Sequence, residues 1–561
     1  MDRIATSPVI DSPRQPQAPA RAPARTRIAA GGPGLRILPC ALVAAVLLAV
    51  WLLSDVSLGH ALTFVGYELG FVVVPGWLVY SALTRRVDFG LRHVAVAWAF
   101  GYALELGAFI ATAAAGIRGA YSFYPLVVVA LTAPFVLPRL RALRHRAREN
   151  APRPRFAPRW AWALAGLITF ALVDIGVALF PVWRLPWKLG SGLFYYPHDW
   201  LLGNNVAAEA AQHWPVTAPN VVGTSLHYHY FAFLHMGAIR QVTHLDLTLI
   251  NFRLVTIPMV ILATLLAFVL GRKLSNGNPW VGVGAAFLAL YVDHLSVIAV
   301  LACAIGLALV LLGRRTSPQV ALAAGAAVVL AGAVTFDTWK TALSHPQNAI
   351  HTLWSNTFDT PTFALGLVLF LAVAVELSDR LAEPATRIRA RLGSWVIITA
   401  LMGAAAGAKA AVPAVLVPGL VLALVYCWRF DRRAVRTLAT ALGASVVTLG
   451  LAWALIFSGG KEGDIHIKPG GTGRSLLPDF SHHLDPHSGP MDAKKLALFG
   501  IVTLIAFVWL IAPLAPGLWA ELRERRGRVS ATQAWLLGMF FSGLGLSLAF
   551  EAGGNAQMWF S

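Results

Sequence analysis

The chain has 561 residues, of which 57% are hydrophobic and only 13% charged, with a mean hydropathy of +0.66. Soluble globular proteins carry ~25% charged residues, so this composition excludes one buried core and asks for many apolar runs of about 20 residues, each able to cross ~30 Å of hydrocarbon. The net charge of +19 does not indicate nucleic acid, because the Lys and Arg fall in short clusters between apolar runs, as the positive-inside rule expects, and not on a soluble basic face.

The first 36 residues are rich in Pro, Ala and Arg and poor in large apolar side chains, which predicts a disordered cytoplasmic tail. Apolar runs then predict an all-α integral membrane protein of about 15 transmembrane helices. They fall at approximately 37–54, 61–83, 92–116, 123–138, 160–183, 247–271, 280–292, 295–312, 319–336, 361–377, 395–408, 412–428, 436–457, 496–513 and 531–549. The first four, within 37–159, read as an N-terminal membrane module, and 160–561 as the core. Cys40, Cys303 and Cys427 all lie in or beside apolar runs, so no disulfide framework or CxxC metal site is available.

With the N-terminus inside, 33 of the 45 Lys and Arg lie inside, 11 lie outside or at the outer boundary, and Lys409 lies within the membrane. Orientation follows this bias. The outer loops are then 184–246, 337–360 and 458–495, and they hold most of the histidines. The inner loops are short and basic, so a site belongs on the extracytoplasmic side. Glu68, Glu105, Asp174 and Asp293 are acids inside apolar runs, each either a functional group or a partner for a buried cation.

The stretch 190–246 is the richest in chemistry. Asp199, in PHDW, follows a long span and precedes the helical LLGNNVAAEAAQH. It is a candidate general base or a cap for that helix. Pro215, Pro219 and Gly223 signal turns. YHYFAFLHMGAIRQV, from Tyr228, is aromatic and amphipathic and too short to cross, which predicts a helix lying in the interface. His198, His227 and His229 with Tyr228 and Tyr230 suit a wet, sugar-binding groove. Asp199, His227 and His229 are also weak candidates for a divalent cation. Arg240, Arg253, Lys340 and Lys409 are candidates to hold an anion. Lys409 falls between two short apolar segments, which reads as a half-membrane break carrying a buried cation.

The order of an acid just after a span, then QHWPV and LHYHYF, resembles the C-type (GT-C) membrane glycosyltransferases, in which many bacterial sequences show a "D…H…g.P…p…G..l.YHy" pattern. TFDTPTFALGLVL, GAKAAVPAVLVPGL and GGNAQMWF add to the likeness, which covers about residues 160–561. Such a resemblance implies a GT-C-like bundle with extracytoplasmic loops and interfacial helices in the inner (plasma) membrane. It also implies a polyprenyl-phosphate-linked sugar as donor and an envelope glycan, lipid or protein as acceptor. A membrane transporter or flippase for a lipid-linked or anionic substrate is the competing expectation, and a non-catalytic scaffold a third.

Overall fold

The computed structural model describes residues 37–149, 157–178, 198–219, 223–291, 360–382, 388–457, 465–467 and 529–552. The expected tail 1–36, the expected spans 295–312, 319–336 and 496–513, and nearly all of the expected loops 337–360 and 458–495 lie outside them, as do Lys340 and Asp293. The remaining expected spans coincide with helices: α1 (Leu38–Leu53), α2 (Leu58–Tyr67) continuing into α3 (Val74–Thr84), α4 (Leu91–Ala114), α5 (Tyr124–Glu149) and α6 (Arg159–Ala178). After α7 (His198–Gln212) and α8 (Phe231–Thr243) come α9 (Thr256–Leu274), α10 (Pro279–Tyr291), α11 (Pro361–Ala382), α12 (Ile388–Ala408), α13 (Ala411–Phe430), α14 (Arg432–Leu455) and α15 (Ala531–Ala549). A short antiparallel ladder joins β1 (Ile465–Ile467) to β2 (Phe550–Ala552).

Among the described residues, eight helical segments are long and apolar enough to cross a membrane, and three shorter apolar helices accompany them. This is a membrane protein; the expected total of about fifteen spans is not reached among those residues. Burial separates the helices into two classes. In Leu247–Leu274 and Pro361–Ala382, 83% of the apolar window is covered by protein, against 22% in Arg118–Leu143. A helix apolar on every side is stable only inside a bundle or in lipid. The first pair forms the centre. The α5 segment turns Leu126, Leu131 and Phe135 outward, a face suited to hydrocarbon.

Helix ends sort into two groups. The ends of α3, α9 and α11 and the start of α4 meet where Arg92 pairs with Glu376 at 2.6 Å and with Asp379, and Lys273 also pairs with Asp379. The hydroxyl of Tyr80 donates to Glu376 at 2.6 Å. This is the basic end. At the opposite end, the close of α1, the start of α9 and the α12–α13 turn come together with α7 and α8. We refer to it as the loop end. Helix α4 packs against α9, α11 and α12, so the first helices are built into the bundle.

Among the described residues, two π turns interrupt the helices, Glu68–Val73 and Ile250–Leu254. Each has a proline just downstream. Pro75 cannot donate to residue 71, nor Pro258 to residue 254, and the ring crowds that carbonyl. The ladder relaxes by one residue, giving the wider turn that often marks functional sites. Both π turns carry buried polar side chains: Glu68 in the first, Asn251 and Arg253 in the second.

Candidate functional site

Three segments build the loop end. The first is the start of α7. Asp199 is the second residue of this helix, so it sits inside the first turn and not ahead of it. Its neighbour Trp200 is fixed to the second π turn, where Asn251 Nδ2 donates to the Trp200 carbonyl at 2.9 Å and to Asn204 Oδ1 at 3.0 Å. The Trp200 and Phe252 rings lie 5.2 Å apart. The backbone at Asp199 is thereby pinned beside the turn that carries Arg253. His198 starts the same helix; the side chains of His198 and Asp199 lie outside the described residues.

Arg253 itself is buried. Its Nε donates to the Ser54 carbonyl at 3.2 Å, and its own carbonyl accepts from Trp51 Nε1 at 3.0 Å. These bonds lock the π turn against the end of α1. Arg240 stands apart from the group. Its guanidinium donates to the carbonyls of Leu245 at 2.8 Å and His244 at 3.3 Å, closing the C-terminus of α8, where His244 adopts a left-handed conformation. Helix C-termini welcome such a cation.

The second segment is Tyr228–Phe231, seated on the α12–α13 turn. Lys409 forms that turn and is 97% buried. The expected half-membrane break is not present: α12 has 21 residues and α13 has 20, each about 30 Å at ~1.5 Å per residue. Lys409 therefore caps a full-length hairpin. The misreading arose because Lys409 and the run of small residues before it divide one continuous hairpin into short apolar stretches. Two glycines make the seat. A Cβ at Gly407 would lie 2.4 Å from the Phe231 ring, and one at Gly366 2.9 Å from the Lys409 Cβ. Lys409 Nζ lies 4.9 Å from the centre of the Phe363 ring, a cation–π contact strengthened by burial.

His229 is buried in the same place and stacks on Tyr228 at 3.8 Å. Burial, and then the positive charge of Lys409, hold its imidazole well below the usual range. It is neutral at physiological pH, as burial beside a cation dictates. Burial also pushes the Tyr230 hydroxyl up to about 12. His227 is half-buried on the same strand of chain, which is held by an isolated antiparallel bridge between Thr217 and Ser225.

The third segment is α8, and here the expectation of an interfacial helix is corrected. Residues 232–239 are all buried, and the helix packs against α7, α4, α11, α2 and α12. The reason lies in its one polar core residue. His235, fully buried, faces Glu105 at 3.1 Å through Nδ1 and Glu68 at 3.4 Å through Nε2. Glu105 Oε1 also accepts from Tyr67 at 2.6 Å and Tyr121 at 3.2 Å. With its histidine held between two carboxylates, the amphipathic face becomes an interior face. Glu68 and Glu105 stand out in the sequence as intramembrane acids, but nothing in the chain order joins them to His235. Glu376 and Asp379 are likewise visible only as acids in VELSDR near a basic connection.

Asp174 is buried in α6, away from these groups. Among the described residues, no three His, Cys, Asp or Glu side chains form a group able to hold a metal ion. No family model, no curated protein and no solved structure matches the chain.

Proposed function

We propose that this protein is an extracytoplasmic glycosyltransferase of the inner (plasma) membrane, GT-C-like, which moves a sugar from a polyprenyl-phosphate-linked donor to an envelope glycan, lipid or protein. One observation carries the reading. The aromatic-histidine motif Tyr228–Phe231 and the buried cation Lys409, separated by about 180 residues of sequence, pack together at the end of the bundle where α7 begins, with Asp199 in its first turn.

In this reading the acceptor hydroxyl attacks the anomeric carbon and gives its proton to Asp199, while the bond from that carbon to the phosphate oxygen breaks. Polyprenyl phosphate leaves with the electron pair. A positioned base is worth about 10²–10⁴-fold. The departing phosphate gains negative charge in a low-dielectric place, where a fixed cation acts most strongly. Lys409 suits that role, because it is buried against the Phe363 ring and not in bulk water. Tyr228 and Tyr230 supply faces for a sugar ring. Arg253 and Arg240, tied into backbone bonds, hold the scaffold.

The test is Asp199→Asn in a host lacking the native protein, with the variant shown to be inserted and abundant. Loss of the glycan product is expected. Unchanged envelope glycans would remove the base assignment. A second reading, a transporter or flippase for a lipid-linked or anionic substrate, draws on the buried Glu68–His235–Glu105 group, since ionisable residues inside a bundle mark proton and substrate pathways. It predicts that purified protein in vesicles moves a labelled lipid-linked sugar across the bilayer without transferring it.

A further inference from the structure

The basic end of the bundle has two parts that differ in charge balance. In the first, Arg92 and Lys273 meet Glu376 and Asp379. Two cations face two anions, and the group sums to zero. The second part lies where α3 ends. Helix α5 packs along α3 and starts from the same level, where the Phe71 and Tyr121 rings stand 5.6 Å apart. Both helices therefore close on the basic end. There Arg85 and Arg86 follow α3, and Arg139 and Arg141 follow Pro138 within α5. Asp88 pairs with Arg86. Among the described residues, no carboxylate pairs with Arg85, Arg139 or Arg141. The start of α12 adds to the excess. A Cβ at Gly393 would lie 2.2 Å from the Leu83 carbonyl oxygen, and Arg389 and Arg391 come just before that glycine.

Arg139 is the sharpest case. Val128, Thr132 and Val136 are the buried positions of α5, and Arg139 continues their row at helical spacing. It is half-buried. Its Nη1 is shut off from solvent and has no hydrogen-bond partner. A buried donor of this kind calls for an acceptor, and a guanidinium fork matches a phosphate better than a point charge does. The same helix supplies an apolar surface directly above. Leu131, Phe135 and Leu137 are exposed, and protein covers only 22% of the apolar window of this segment. A basic cluster at the end of an apolar span is the arrangement that attracts anionic lipid.

We infer that the corner between the end of α3 and the Pro138–Arg141 stretch of α5 binds an anionic phospholipid, its phosphate held by Arg139 with Arg141 and Arg85 and its acyl chains lying on the exposed face of α5. The lipid supplies the negative charge that this corner lacks and that Glu376 and Asp379 supply to the other part. The site is independent of the transferase reading.

Native mass spectrometry tests it, on the full chain purified in detergent and titrated with phosphatidylglycerol or phosphatidylcholine. The parent should retain phosphatidylglycerol at lower concentration than phosphatidylcholine. Arg139→Gln with Arg141→Gln should weaken that retention by about 5-fold per arginine, the worth of one basic side chain near an anionic surface, and leave phosphatidylcholine unchanged. Arg432→Gln with Arg433→Gln removes the same charge from the exposed start of α14 and should leave both lipids unchanged. Should the first pair fail to fold, Arg85→Gln with Arg141→Gln, at two exposed positions, carries the same expectation. Equal retention of the two lipids by the parent overturns the inference. An equal loss in the α5 and α14 variants also overturns it, since overall charge alone would then explain the retention. So does inorganic phosphate that raises the unfolding temperature as far as phosphatidylglycerol does, because the site would then be one for free phosphate.

Discussion

His229 and His235 stand six residues apart on one segment, and the fold gives them opposite charge states. Both are buried. His229 lies beside Lys409, where desolvation and a like charge hold the imidazole neutral. His235 lies between two glutamates. Burial alone would lower it, but Glu105 first and Glu68 with it raise it to about 10. One end of the segment is thus a neutral aromatic face next to a cation. The other end is an ion held fast in the bundle. The contrast teaches that burial sets only the cost of charge, and the partner sets its sign.

The largest effect that would break this contrast comes from His235→Leu. It leaves Glu68 and Glu105 facing each other without a cation, and removing one member of a buried ion group costs about 3–5 kcal/mol. A large fall in unfolding temperature, or loss of folded protein, is expected in detergent. His229→Leu removes a neutral ring and should cost only about 1 kcal/mol, the scale of one hydrogen bond. If the two variants lose equal stability, the contrast fails.

Next in size is Gly407→Val. Its new side chain would meet the Phe231 ring, and overpacking of this kind costs about 1–3 kcal/mol. The proposed glycosyl transfer should fall with it, because Phe231 seats the segment carrying His229 beside Lys409. The transfer rate and the unfolding temperature, measured together, check this.

The pH dependence sharpens the contrast further. His235 has a folded value above its ordinary 6.5, so its contribution is complete below about 6.5 and is lost as pH rises through its folded value. His229 has a folded value below 6.5, so its contribution is complete above 6.5 and is lost as pH falls. Thermal unfolding across pH should therefore show losses on both sides. His229→Gln should remove only part of the acid side, and His235→Gln should remove the alkaline loss at the cost of overall stability. The smallest effect belongs to Arg240→Ala, which deletes the closing bonds of α8 near the surface and should cost ~1 kcal/mol or less, with the proposed transfer unchanged.

Much of this bundle is legible in the sequence. Apolar runs find α1 through α6 and α9 through α15 because a span must satisfy its backbone within itself. Even the π turns leave a trace in Pro75 and Pro258. Two things are not legible. The turn at Lys409 reads as a break because a lone cation in an apolar stretch looks the same whether it caps a hairpin or interrupts a span. The depth of α8 is hidden because a short helix with one histidine reads as interfacial until two acids from elsewhere in the chain are known to meet that histidine. Asp199, Tyr228 and Lys409 could each be singled out by residue type, whereas their convergence at one end depends on close approaches at Gly366 and Gly407, which a sequence read singly does not announce.

The most direct measurement is the protonation of the two rings. In full-length protein carrying nitrogen-15-labelled histidine, with His229→Gln and His235→Gln used for assignment, the spectrum at neutral pH should show His235 with both ring nitrogens protonated and His229 with one bare nitrogen. Two neutral rings, or two charged ones, would contradict the account.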